Sequence, residues 1–217
     1  MTIKGTVDKT AFSLLLMIGS GYYVYTEQIV SLILPGCLLG LAVAIFTIFK
    51  KQYSPITVPI YALFQGLFLG GISFMYGQMY EGIVYNAVLL TVTILLSLLL
   101  VYRSGLIKPT ENFKLGIFAA TGGIALFYII SFVASFFGGG LAIFDPTNGS
   151  MTSILVSLFI VIIASLNLVL DFDFIEEASE NGAPKYMEWY GAFGLLVTLV
   201  WLYLEILRLL AKINSRD

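Results

Sequence analysis

The sequence contains no histidine and only one cysteine, and charged residues are scarce. Without histidine, the usual zinc-dependent and Ser–His catalytic mechanisms are disfavoured. Any proton-sensitive behaviour near neutral pH must then come from other groups, of which carboxyls buried away from water are the main candidates. The single cysteine, Cys37, excludes an intramolecular disulfide framework and cysteine-based metal clusters.

Charged residues make up 11% of the chain, whereas hydrophobic residues make up 59%. A soluble domain has about a quarter of its residues charged and about half apolar, so the composition indicates an integral membrane protein. The net charge of −2 is small, and no basic stripe with interleaved aromatic residues occurs. Nucleic acid is therefore not expected as a partner, and the lipid bilayer is.

Seven apolar segments approach the length of about 20 residues that a helix needs to cross a bilayer. They are Ala11–Tyr25, Ile29–Phe49, Ile56–Gly77, Gly82–Tyr102, Leu115–Phe137, Met151–Ile175 and Trp189–Leu210. The connections between them are too short for an inserted soluble domain. The sequence thus predicts one all-α polytopic membrane domain over residues 1–217, with seven transmembrane helices.

Lysine and arginine residues cluster in alternate connections, which predicts the orientation of the chain. Lys4 and Lys9 precede the first segment, and the connections after the second, fourth and sixth segments also carry basic residues, namely Lys50, Lys51, Arg103, Lys108, Lys114 and Lys185. The connections after the first, third and fifth segments carry none. This pattern places the N-terminus in the cytoplasm.

The C-terminal residues depart from this alternation. Seven full crossings would place Arg208, Lys212 and Arg216 outside, against the positive-inside rule. Two alternatives follow. Either the earlier connections determine the orientation, or the last segment does not cross completely.

Three carboxylates lie in or beside the last two apolar segments. Asp171 and Asp173 follow Leu168–Leu170 at the end of the sixth segment, and Glu205 lies inside the seventh. An ionisable group at membrane depth costs several kcal/mol, so a functional role is the first hypothesis for such a group.

Helical geometry separates the two aspartates. Asn167 is four residues before Asp171 and shares its helix face, whereas Asp173 points nearly the opposite way. Asp171 is therefore expected on an inward polar face with Asn167, and Asp173 near the headgroups or a neighbouring loop. The alternative is that both acids end the helix in water.

Glu205 and Arg208 are three residues apart on one helical turn and can form a local ion pair. The alternative is that Glu205 lines a central cavity.

Small residues one helical turn apart are expected to let neighbouring helices approach closely. The spacing occurs at Gly36 and Gly40, and again at Gly66 and Gly70, and residues 121–123 are small as well. Ordinary helix packing accounts for these residues, and a pore-lining glycine is the alternative.

Three segments resemble the transmembrane Bax-inhibitor family, in particular its bacterial Bax-inhibitor-like membrane proteins. They are Ile56–Gly71 (ITVPIYALFQGLFLGG), Leu166–Glu177 (LNLVLDFDFIEE) and Leu202–Leu210 (LYLEILRLL), in the same order along a seven-span profile. The resemblance covers the whole chain. It implies a seven-helix bundle with the last helix central, a pH-sensitive calcium leak, and a bacterial plasma membrane as the location.

The resemblance also implies roles for individual residues. Asp171 matches the family's sixth-helix acid and Glu205 its seventh-helix acid, a pair that shares a proton and gates the pore. Asp173 stands where members of the family usually have an uncharged polar residue, and it is a further candidate sensor because it lies close to Asp171. Asn167 and Arg208 are candidate supporting residues because each shares a helix face with one of the two acids. Asp171 and Glu205 are also candidate calcium ligands, because hard oxygen ligands suit that ion. Calcium enters as the transported ion, and no resident cofactor is expected.

The distance between the two acids along the sequence limits how they could come into contact. Asp171 and Glu205 are 34 residues apart. A direct contact between them requires that the sixth helix ends late, or that residues 180–189 form additional structure before the last crossing.

Two other classes of function compete with a channel. An intramembrane aspartyl protease also needs two acids on facing helices, but its Gly-x-Gly-Asp signature is replaced here by Val169-Leu170-Asp171. We therefore do not expect an enzyme. The remaining alternative is a non-conducting membrane regulator that binds another membrane protein, such as a protease or an assembly factor.

Overall fold

A computed structural model describes residues 1–107, 109–138 and 141–216, which form seven α-helices joined by short turns, without a β-strand. The helices are α1 (Ile3–Glu27), α2 (Ile33–Phe49), α3 (Ser54–Met79), α4 (Ile83–Arg103), α5 (Glu111–Phe136), α6 (Met151–Glu180) and α7 (Met187–Asn214). Short 3₁₀ turns precede α2, α3 and α6, at Val30–Leu32, Lys51–Tyr53 and Ala142–Phe144. Lys108 and Asp217 lie outside the described residues.

Six of the described helices, α2 to α7, are long and apolar enough to cross a membrane, which confirms the predicted all-α polytopic architecture. The predicted first span, Ala11–Tyr25, is also helical, within α1, but α1 is not among these six. Lys4, Asp8 and Lys9 lie in its first turns and lower its hydropathy. The seven predicted helices are thus present among the described residues, and α1 is the helix that lies outside the six candidate spans.

The last two helices are longer than predicted. α6 continues for five residues past Ile175 and ends at Glu180, so Asp171 and Asp173 lie inside the helix. Glutamate is a good helix former, and Gly182 adopts a left-handed φ of +64° at the point where the helix has ended. α6 thus ends late, which is one of the conditions set by the separation of Asp171 and Glu205.

The chain divides into two compact units. Unit 1 comprises Met1–Glu81 and Asp171–Val200, and unit 2 comprises Gly82–Leu170 and Trp201–Asp217. α6 and α7 each contribute to both units. α7 is the most buried of the six candidate spans, with 61% of its most apolar stretch buried against 44% for α6, the next most buried.

Glycines bring α1 and α3 together in unit 1. A Cβ atom on Gly66 or Gly70 would overlap the backbone of α1, where Gly21 is the nearest residue to Gly70. The Ser20 hydroxyl donates a hydrogen bond across this contact to the Leu63 carbonyl at 3.1 Å. The predicted role of this glycine pair in helix packing is confirmed.

The predicted close packing at the glycines of α2 is present, whereas that at the glycines of α5 is not. Gly36 lies against the α3 backbone, where a Cβ would be 2.8 Å from the Phe68 nitrogen, and Gly40 lies against Gln65. A Cβ on Gly122 or Gly123, in contrast, would meet no atom within 4 Å. The prediction of close helix packing is therefore confirmed for α2 and wrong for these two residues of α5.

The core of unit 2 lies between α5 and α6. Four buried isoleucines form its centre, and Tyr128, Phe144 and Trp201 are among the partly buried residues packed against them. The four are Ile117, Ile124, Ile160 and Ile163. The spacing is seven residues between Ile117 and Ile124 and three residues between Ile160 and Ile163, which keeps one apolar face of each helix on this core.

Candidate functional site

The Asp171 carboxyl lies against α7 within unit 1. A Cβ on Gly194 would be 3.0 Å from Asp171 Oδ1, so the missing side chain leaves room for the carboxyl. Thr198, one helical turn further along α7, is buried and shares the helix face on which Gly194 lies. α7 therefore offers this acid a small residue and a neutral hydroxyl.

The second carboxyl oxygen of Asp171 is unusual. Asp171 Oδ2 is shielded from solvent and has no hydrogen-bond partner among the described residues. Buried polar atoms are normally satisfied, and ionising a buried, unpaired carboxyl is costly. The alternative that Asp171 merely ends a helix in water is wrong, because the helix continues past it and this oxygen is enclosed.

Asp173 and Asn167 flank Asp171 on α6. Asp173 is half-buried and has an interaction partner of its own. In unit 2, the Asn167 amide donates to the Thr121 hydroxyl and to the Ile163 carbonyl, each at 2.9 Å. Asn167 thus links α6 to α5 through a polar contact inside the apolar segment.

Glu205 lies in a charged cluster of unit 2. Only 2% of its side chain is exposed, and Arg208 Nη1 is 2.9 Å from each of its two carboxylate oxygens. The Tyr128 hydroxyl donates to Glu205 Oε1 and accepts from Arg208 Nη1 at 2.7 Å. The predicted local ion pair of Glu205 with Arg208 is present, and Tyr128 of α5 completes it.

Aromatic rings support the same guanidinium. Arg208 Cζ lies 5.4 Å from the centre of the Tyr128 ring and 5.7 Å from that of Phe144, distances typical of cation–π contacts. The Glu205 charge is therefore compensated inside its own unit. A pairing of Asp171 with Glu205 would join different units, and it stays a prediction, as does their joint role as calcium ligands.

A scan against protein families matches residues 1–215 to the family described as Bax inhibitor 1 like. The chain belongs to this family. Searches of curated proteins and of solved structures give no match. With its six candidate spans, the chain is a multi-pass membrane protein of the Bax inhibitor 1 like family.

This Bax inhibitor 1 like protein also has a buried lysine that the sequence pattern did not reveal. Lys212, near the end of α7, is fully buried. Its ammonium group donates to the Ile143 carbonyl at 2.5 Å, the Ser157 hydroxyl at 2.7 Å and the Ser153 carbonyl at 3.4 Å. Ser153 and Ser157 lie one turn apart in an apolar segment, and this pair of polar residues is the sequence feature that could have indicated a buried polar partner.

The contacts of Arg208 and Lys212 affect the prediction of which side of the membrane the C-terminus occupies. The positive-inside rule concerns basic residues in the connections beside a span. Arg208 is paired with Glu205, and Lys212 is enclosed by backbone and hydroxyl acceptors, so neither is a hydrated tail charge. Their positions inside α7 weaken the apparent conflict at the C-terminus, while the orientation itself stays a prediction.

Another buried acid, Glu188, joins α1 to the first turn of α7 in unit 1. It is 4% exposed, forms an ion pair with Lys9 and accepts hydrogen bonds from the Thr2 nitrogen and hydroxyl at 3.0 and 3.1 Å. Lys9 also lies over the Trp189 ring at 5.7 Å. No short sequence pattern predicts these contacts, because α1 and α7 are far apart in the sequence and come together only when the protein folds.

The remaining acids do not form a recognisable metal centre. Among the residues that the structure describes, no group of three or more His, Cys, Asp or Glu side chains could hold a metal ion. In the turn before α6, Thr147 donates to Asp145 Oδ1 from its hydroxyl at 2.6 Å and from its backbone nitrogen at 2.9 Å. These bonds hold the pKa of the Asp145 carboxyl below its ordinary value.

Proposed function

We propose that this protein is a pH-sensitive calcium leak of the bacterial plasma membrane, gated by membrane-embedded carboxyls, of which Asp171 is the principal one. The observation that carries the proposal is the enclosed Oδ2 atom of Asp171, which has no partner among the described residues. Membership of the Bax inhibitor 1 like family supports a membrane function, and the resemblance of the acid-bearing segments supports a leak.

The gate would work through the charge of this acid. A protonated Asp171 is neutral and fits an apolar, closed segment. Loss of the proton leaves a negative charge that Gly194 and Thr198 cannot neutralise, so water and a cation are drawn in. Calcium suits the oxygen ligands that carboxyls supply. The leak therefore increases as the pH rises.

The other candidate residues have secondary roles in this proposal. Glu205 supplies the acid of α7, with Arg208 as its counter-charge, and Asn167 fixes α6 against α5. Asp173 adds negative charge on the same helix as Asp171. The basic connections support a cytoplasmic N-terminus, which would place the α6–α7 connection on the cytoplasmic side as well.

Flux measurements in reconstituted vesicles test the proposal. Purified protein would be incorporated into liposomes that contain a calcium-sensitive dye, and calcium entry would be recorded over a series of pH values. We expect flux that rises with pH for the unaltered protein. Asp171→Asn, which removes the ionisable group with little change of shape, should give low flux at every pH.

Glu177→Gln is a matched control, because Glu177 is an exposed acid on the same helix. It should behave like the unaltered protein. Unchanged, pH-dependent flux in Asp171→Asn would reject the proposal. No flux in any sample, together with a membrane protein that co-purifies in stoichiometric amount, would instead favour a non-conducting regulator.

A further inference from the structure

The ammonium group of Lys212 in unit 2 is surrounded by neutral oxygen atoms. It donates to the Ile143 carbonyl at 2.5 Å, the Ser157 hydroxyl at 2.7 Å and the Ser153 carbonyl at 3.4 Å. Among the described residues, Lys212 forms no ion pair with a carboxylate. Buried charges are normally paired with an opposite charge, so this set of partners is unusual for a lysine.

The positions of these oxygens do not depend on the lysine alone. Ser153 and Ser157 lie one turn apart on α6, so both face the same side of that helix. Ser153 is fully buried and Ser157 is 1% exposed. The Ser153 hydroxyl also donates to the Ile143 carbonyl at 3.1 Å, which fixes this carbonyl against α6. The three oxygens are therefore held together by the fold around them.

The charged residues closest to Lys212 along the chain or in the adjoining turn have other partners. Arg208, one turn earlier on α7, is paired with Glu205. Asp145, which follows the turn Ala142–Phe144, is exposed and accepts two hydrogen bonds from Thr147. Dipoles of carbonyl and hydroxyl groups thus stabilise the Lys212 ammonium group directly.

Carbonyl and hydroxyl oxygens without a carboxylate suit a monovalent cation. The selectivity filters of potassium channels replace the hydration shell of the ion with backbone carbonyls. Calcium sites, in contrast, normally include several carboxylates. The oxygens around Lys212 therefore favour an ammonium or potassium ion over calcium.

We propose that these three oxygens form a site for a small monovalent cation, and that the chain fills this site with the Lys212 ammonium group as a tethered cation. The site joins the turn Ala142–Phe144 to α6 and α7. Phe144 of this turn lies over the Arg208 guanidinium at 5.7 Å. The tethered cation therefore holds an aromatic cover on this guanidinium. The inference does not depend on the calcium leak, since neither the site nor its test involves calcium.

Replacement of Lys212 by alanine empties the site and tests whether it accepts a free cation. The full-length Lys212→Ala protein in detergent would receive ammonium chloride or, at the same pH and ionic strength, tetramethylammonium chloride, whose cation has no N–H donor. Amide hydrogen exchange in the turn Ala142–Phe144 is the readout. Ammonium at about ten times its dissociation constant should slow this exchange about tenfold, whereas tetramethylammonium should leave it unchanged.

Two variants and the unaltered protein serve as controls. Lys212→Met keeps the space filled with an uncharged side chain and should not respond to ammonium. Ser157→Ala, combined with Lys212→Ala, removes one oxygen and should weaken ammonium binding about tenfold, because hydrogen bonds from charged donors are the stronger ones. The unaltered protein, whose site is occupied, should respond to neither salt.

A measurement on the native lysine keeps the inference testable if Lys212→Ala does not fold. In protein with isotope-labelled lysine, nuclear magnetic resonance should show that the ammonium hydrogens of Lys212 exchange with water far more slowly than those of the exposed Lys4. Ser157→Ala alone should make the Lys212 exchange faster. Equal exchange at Lys212 and Lys4, or an equal response of Lys212→Ala to the two salts, would overturn the inference.

Discussion

Arg208 and Glu205 lie one turn apart on α7, and one guanidinium nitrogen of Arg208 is 2.9 Å from both carboxylate oxygens of Glu205. Because only 2% of the Glu205 side chain is exposed, removal of its partner leaves a buried charge. Arg208→Gln should lower the free energy of unfolding by about 3–5 kcal/mol. Chemical unfolding in detergent, followed by circular dichroism, measures the change.

The double variant Glu205→Gln with Arg208→Gln is the control for this prediction. It removes both charges, so most of the loss should be recovered. Equal losses in the single and the double variant would mean that the buried charge is not the cause.

Lys9 and Glu188 form the ion pair that holds the start of α1 against α7. Lys9→Met should release this segment, since Glu188 would keep only its Thr2 donors. Thr6→Cys in a Cys37→Ser background reports the release, because Thr6 is fully buried. The thiol labelling rate should rise by about tenfold or more, as the loss of a charge-assisted bond implies.

Lys4→Met is the matched control for this labelling experiment. Lys4 is an exposed lysine on the same helix, and its loss should leave the labelling rate of Thr6→Cys unchanged. If both lysine variants increased labelling to the same degree, the Glu188 contact would have no special role.

Gly70 is the point where α3 meets the α1 backbone. A Cβ there would overlap the Gly21 carbonyl, so Gly70→Ala should destabilise the protein by about 1–3 kcal/mol or more. Gly122→Ala places the same methyl group in open space within a helix and should stabilise the protein by up to about 1 kcal/mol. Thermal unfolding of the two variants would disprove the packing argument if their effects had the same sign.

Lys212 holds the 3₁₀ turn Ala142–Phe144 through the Ile143 carbonyl. Lys212→Met would leave that carbonyl and the Ser157 hydroxyl without their donor, at a cost of about 1–3 kcal/mol for each group. Amide hydrogen exchange in the turn should become faster. Arg216→Met, at an exposed site, should change neither exchange nor stability.

Hydropathy predicted the membrane segments well, because runs of about 20 consecutive apolar residues seldom occur outside membrane spans. It placed the end of α6 at Ile175 and missed the last turns, since Glu176, Glu177 and Glu180 are polar yet favour a helix. Hydropathy marks where the lipid ends and not where the helix ends.

In the candidate site, the sequence predicted only the contacts between residues that are close together along the chain. The Glu205–Arg208 pair is set by helical spacing and was predictable. Tyr128 approaches Glu205 from 77 residues away and Lys9 approaches Glu188 from 179, and both depend on helix packing that no short pattern encodes. Gly122 shows likewise that a small residue allows two helices to pack closely but does not by itself bring a second helix into contact.

The modest apolarity of α1 has a consequence for how the chain enters the membrane. Its close backbone neighbour, around Gly66 and Gly70 of α3, is synthesised some 45 residues later than Gly21. α1 is therefore synthesised before the helix that packs against its backbone. We expect α1 to settle in the bilayer only after α3 has emerged, as a late step of biogenesis rather than the first.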